Sequence, residues 1–146
     1  MTQQGIATSE KKVIPLVPYL RLPEKPGEKP YLWGSRCKDC GTAYLGARIA
    51  CSKCGSTAPM TEVKLSDTGE VWVYSVVTQS APGVPTPYIA AIIDLPEGVS
   101  VRGTIEGIEP KPENVRFGTK VKMYTEKVRE DREGNDLIAY KFRLAK

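Results

Sequence analysis

The sequence predicts a mainly β protein in which a small metal-bound ribbon precedes a five-stranded barrel. Three observations predict it. The pattern C-x-x-C-G occurs twice, as Cys37-Lys38-Asp39-Cys40-Gly41 and Cys51-Ser52-Lys53-Cys54-Gly55. From residue 61 onward, runs of β-branched and aromatic residues alternate with turn residues. Twelve prolines and thirteen glycines in 146 residues leave little room for long helices.

Residues 1–30 read as an extended proline-rich arm. Five residues of PLVPYLRLPEKPGEKP are proline, which rules out a helix over 15–30 and favours a polyproline-like path. Leu16, Val17, Tyr19, Leu20 and Leu22 are nonetheless apolar. The arm therefore either packs on its own domain or docks on a partner.

Residues 31–60 form the ribbon. Two residues between paired cysteines let the backbone wrap so that both sulfurs face one ion. The glycine after the second cysteine permits the positive φ that closes such a knuckle. Two knuckles supply Cys37, Cys40, Cys51 and Cys54 in a tetrahedron, the arrangement of closed zinc sites with bonds of about 2.3 Å. Iron in a rubredoxin-like site shares the geometry, and ligand spacing alone does not separate the two metals. A closed four-thiolate site has no open coordination position, so the metal, Zn2+ by preference, is structural. It holds together a segment too small to bury its own core.

Residues 61–146 form the barrel. Residues 69–78 are a long aromatic strand, followed by a proline-rich loop over 80–87. Residues 88–95 are apolar on both faces and are expected to be buried on both. In the third strand Val99, Val101 and Ile105 alternate with Ser100, Arg102, Thr104 and Glu106, while Gly103 occupies the inward register as a bending point. Residues 120–129 make the fourth strand and Glu133-Gly134-Asn135 turn the chain. The fifth places Ile138, Tyr140, Phe142 and Leu144 on one side. Five strands, the first long and the third kinked at glycine, fit an OB-like barrel, with an open sandwich of the same strands as the alternative.

Composition narrows the chemistry. The chain has no histidine, and the four cysteines are committed to the metal. No Ser-His-Asp triad, Cys-His pair or His-ligated catalytic metal can be assembled from it, so no residue is expected to be catalytic. No apolar run approaches the roughly 18 residues of a membrane span, and the N-terminus does not read as a signal peptide. Together with metal-bound rather than disulfide-bonded cysteines, this makes the cytoplasm the expected compartment. The net charge of +4 is uneven: residues 61–119 carry four basic and eight acidic side chains.

The order of arm, rubredoxin-like ribbon and OB-like barrel resembles a zinc-ribbon/OB-fold family whose members accompany thiolase-like and other acyl-CoA enzymes. The resemblance runs from about Tyr31 to Leu144. It rests on CKDCGTAYLGARIACSKCGS, on TGEVWVYSVVTQSAPGVPTPYIAAIIDLPEGV, and on GTIEGIEP with VRFGTKVKMY. Family members often carry helices before the ribbon, where this chain has its proline-rich arm and Tyr31-Leu32-Trp33. That departure suggests a subgroup, the small subunit of a benzoylsuccinyl-CoA-type thiolase of aromatic degradation. The resemblance implies a non-catalytic accessory subunit of a thiolase-type acyl-CoA complex, with two copies of each subunit. The thiolase-fold partner would supply the nucleophilic cysteine and the histidines. A coenzyme A thioester would lie at the interface, where Arg36, Lys38, Arg48 and Lys53 could meet its phosphates, and the loop over 80–87 would face the partner. The alternative is a single-stranded nucleic-acid binder, a common role for ribbons and OB barrels. The acidic balance of residues 61–119 argues against it.

Overall fold

The computed structural model describes residues 12–145; the first part of the arm lies outside the described residues. Two short strands, β1 (Val13–Pro15) and β2 (Leu20–Arg21), occur in the arm. The ribbon contributes β3 (Tyr31–Arg36), β4 (Ala43–Leu45) and β5 (Thr61–Lys64). The barrel is built from β6 (Thr68–Val77), β7 (Tyr88–Asp94), β8 (Ser100–Ile105), β9 (Lys120–Glu130) and β10 (Asp136–Leu144).

β6, β7 and β8 form an antiparallel meander. β8 meets β10 in parallel, β10 pairs antiparallel with β9, and β9 returns to β6. The five strands thus close on themselves, and closure removes the open edges of the sheet. Around β8 the inward set is the one the alternation predicts, with Val99, Val101 and Ile105 buried. Val71, Ile89, Ile93, Val121 and Phe142 are buried as well. Gly103 does face inward, for a more specific reason than bending. A Cβ built there would lie 2.6 Å from two carbons of the Phe142 ring, so the missing side chain is the space the ring fills.

Two expectations are corrected. Residues 88–95 are not buried on both faces: Ile89, Ala91 and Ile93 are, but Tyr88, Ala90 and Ile92 on the other face are only half-buried. β6 extends that face with Val73 and Ser75 and β8 with Arg102 and Thr104, and Leu16, Val17 and Tyr19 of the arm border it beside Tyr88 and Ala90. Leu144, placed on one side of the strand with Phe142, is exposed: β10 meets β8 at Phe142 and beyond it pairs with β9 alone, through Val121.

The described part of the arm is pinned to its own chain. β1 adds to β10 in parallel, and β2 adds to β3. Leu20 is buried with Leu32 of β3 and Leu65, within the same core cluster as the barrel residues. Tyr19 spans both parts. Its Cβ is the nearest atom to the space beside Gly46, and its hydroxyl lies 3.3 Å from that of Tyr140. β3 is the centre of the ribbon, with β4 along one edge and β5 along the other. Gly34 makes that crossing possible, since a Cβ there would stand 2.1 Å from the Tyr44 carbonyl oxygen.

Candidate metal centre

The metal centre is built from two knuckles of nearly identical geometry. In the first, Gly41 N–H donates to Cys37 O and Cys37 N–H to Thr42 O, each at 2.9 Å. In the second, Gly55 N–H donates to Cys51 O and Cys51 N–H to Ser56 O, again at 2.9 Å. Gly41 and Gly55 both take φ of 77°, the left-handed conformation expected of a knuckle glycine. β3 delivers Cys37 directly, and the chain between β4 and β5 delivers Cys51 and Cys54. Asp39 accepts from the Ser56 hydroxyl, tying the knuckles together on their outer side.

The four sulfurs lie within 4.8 Å of one another. Cys37 and Cys54 approach to 3.7 Å, Cys40 and Cys51 to 3.5 Å. A tetrahedron with bonds of about 2.3 Å has edges of about 3.8 Å, so the cluster has the dimensions of a four-thiolate site. The cysteines are free thiols, well beyond the roughly 2.05 Å of a disulfide. All four residues singled out from the sequence are therefore brought together, arranged to hold a metal.

Their surroundings differ. The Tyr44 hydroxyl, followed by backbone N–H groups of Cys54 and Lys53, draws the Cys51 thiol down to about 6. Thr42, through its hydroxyl and N–H, lowers Cys40. Although Ser56 N–H favours a Cys54 thiolate, desolvation and the neighbouring sulfurs push that thiol up to about 12. Four sulfurs this close resist collective ionisation. A dication relieves the repulsion and would bind with release of protons.

The four basic side chains of the ribbon do not act alike. Arg36 donates to Gly41 O at 2.8 Å, bracing the first knuckle. Arg48 lies over the Tyr44 ring at 4.3 Å from its centroid. Lys38 and Lys53 are exposed.

Sequence reasoning missed a polar cluster on the barrel. Lys141 Nζ contacts Glu106 at 2.7 Å and Glu126 at 3.0 Å, and the Tyr124 hydroxyl donates to Glu106 at 3.0 Å. Lys141 holds the Glu106 carboxyl below its ordinary value, with help from Tyr124. Glu106 and Lys141 line a cleft of about 530 Å³ beside Val84, Pro85 and Pro87 of the proline-rich loop. Only the alternation of β8 and β10 hinted at an outward pair, and nothing in it says that the two strands run side by side.

The comparisons with known proteins agree with this architecture. Residues 25–59 match the family profile described as the ChsH2 rubredoxin-like zinc ribbon domain, and residues 62–126 the ChsH2 C-terminal OB-fold domain. The chain is 39% identical over 121 residues to a DUF35 domain-containing scaffold protein of Methanocaldococcus jannaschii, covering 80% of this chain and 83% of that one. It is 35% identical over 117 residues to the benzoylsuccinyl-CoA thiolase subunit BbsA of Thauera aromatica, covering 80% and 78%. Among solved structures, the Ltp2-ChsH2(DUF35) aldolase superposes with a TM-score of 0.61 at 28% identity, over 80% of this chain and 86% of that one.

Proposed function

The chain belongs to the DUF35 family, and we propose that it is the non-catalytic accessory subunit of a thiolase-type acyl-CoA enzyme complex. The observation that carries the reading is its identity, over most of both chains, with a protein named as a thiolase subunit. A second relative is named as a scaffold protein, and a structural neighbour is part of an aldolase. The chemistry of this chain supports the same division of labour. It has no histidine, and its four cysteines converge on one point.

In this reading Cys37, Cys40, Cys51 and Cys54 hold a structural zinc ion, residues 31–60 form the ribbon, and residues 61–146 form the barrel. The partner has the thiolase fold and supplies the nucleophile and the acid–base groups. The loop over residues 80–87 and the outer face of β6, β7 and β8 meet it. Val73, Ala90 and Ile92 give that face an apolar character that suits protein better than nucleic acid, which asks for a basic one. Among the described residues that line the hollow beside them, Arg102 is the one basic side chain. A coenzyme A thioester of the partner's site would find Lys38 and Lys53 exposed for its phosphates.

Co-expression with thiolase-fold proteins encoded beside this chain tests the reading, with co-purification of a stoichiometric complex as the expected result. A chain that runs alone, and that retards single-stranded DNA with a steep salt dependence, would sink it.

A further inference from the structure

Tyr44 lies at the middle of β4, yet its hydroxyl belongs to the second knuckle. It is 3.2 Å from Cys51 Sγ, 3.1 Å from Ser52 N and 2.9 Å from Ser52 Oγ. A phenol has one proton to donate and two lone pairs to accept with. Ser52 N–H can only donate, so it takes one lone pair. Arg48 Nη2 donates to Ser52 Oγ at 3.4 Å and takes one of its two lone pairs. Because a thiolate that ligates a metal carries no proton, the Tyr44–Cys51 contact needs the phenol as its donor, and the serine proton fills the second phenol lone pair. The phenolic proton then goes to Cys51 Sγ, and the hydroxyl is saturated. The Arg48 guanidinium over the ring withdraws electron density from it, which makes the O–H a better donor.

The placement also has a mechanical side. β4 follows directly on the first knuckle and pairs with β3, Ser35 standing opposite Tyr44. Through this one hydroxyl, the strand that leaves the first knuckle grips the second. We infer that Tyr44 is a positioning residue for the metal: its O–H stabilises the Cys51 thiolate and fixes the second knuckle, and so sets how tightly the ion is retained. A dication among four thiolates leaves a net charge of −2, and each donor to sulfur disperses part of it. Groups outside the ligands commonly change metal affinity by about 10–100-fold.

The test uses the full chain loaded with zinc, and separately with cobalt. Tyr44→Phe keeps the ring under Arg48 and removes only the hydroxyl. We expect zinc to pass to a chromogenic chelator about tenfold faster or more. The thiolate-to-cobalt charge-transfer band should move to longer wavelength, because a sulfur without its donor gives up charge more easily. Ser52→Ala keeps the O–H on sulfur and should leave the band in place. A ring-fluorinated tyrosine at position 44, a stronger donor in the same shape, should move the band the opposite way, and it carries the test even where Tyr44→Phe folds poorly. If Tyr44→Phe matches the parent in release and spectrum, the inference is overturned. Faster release with an unmoved band would mean that the hydroxyl serves only Ser52 and not the Cys51 sulfur, and overturns it equally. A parent chain that takes up no metal would overturn the metal site itself, and this inference with it.

Discussion

Cys37 and Cys51 are the buried pair of the four sulfurs, Cys40 and Cys54 the exposed pair. Each knuckle thus offers one ligand from inside the ribbon and one from its surface. Cys54→Ser replaces a surface ligand, so little packing is disturbed while the tetrahedron loses a corner. We predict that this variant purifies with less than one zinc per chain. Its ribbon should be cut by protease between residues 37 and 60, where the parent resists. Zinc analysis and limited proteolysis check this, and a zinc-free variant that is as resistant as the parent would contradict the structural role. Gly103 calls for a different substitution. Gly103→Ala places a methyl carbon 2.6 Å from the Phe142 ring, which must shift in a full core. A loss of about 1–3 kcal/mol is expected in urea unfolding at unchanged metal content.

At the level of elements, β8 and β10 place their outward residues where charge can be paired across a parallel contact. Glu106 N–H donates to Phe142 O at 2.8 Å, which brings Lys141 beside the Glu106 carboxylate. With its folded-state value below the ordinary 4.5, Glu106 adds stability that is complete above about pH 4.5. That contribution disappears as pH falls through the lowered value. Lys141→Met should therefore lower stability by about 1 kcal/mol at pH 7, discounted for the exposed carboxylates. The deficit should shrink in acid, as urea midpoints at the two pH values would show. The same strands show what could be read beforehand. β8 was legible because a strict period of two separates Val101 and Ile105 from Arg102 and Thr104. The metal ligands were legible because cysteine spacing is nearly a statement of geometry. β3, β4 and β5 left no such pattern. They are three to six residues long, and what pairs them is the metal centre and the bare backbone of Gly34. Tyr44 was invisible for a related reason: a lone aromatic between knuckles has no spacing rule, and only the folded β4 turns it onto Cys51.

In the whole molecule the ribbon and barrel share one interior. Leu20 from the arm, Leu32 from β3 and Leu65 after β5 belong to the cluster that contains Ile93, Val101 and Phe142, and Leu65 N–H donates to Leu32 O at 2.8 Å. Loss of the metal frees the knuckles, and with them the constraint that keeps β3 against Leu65. The barrel then loses part of its apolar contact, at about 25 cal/mol for each Å² exposed. The two tryptophans report on the two parts separately. Trp33 lies in β3, its indole N–H donating to Pro18 O at 3.0 Å. Trp72 projects from β6, 60% exposed, at the register shift between Val71 and Val73. In the zinc-loaded Trp72→Phe variant, fluorescence follows the ribbon; in Trp33→Phe, it follows the barrel. We predict coincident thermal transitions for the two variants, and a downward shift of both when zinc is chelated. A barrel signal that ignores chelation would mean that the shared leucines do not couple the parts, and that the metal stabilises only the segment that holds it.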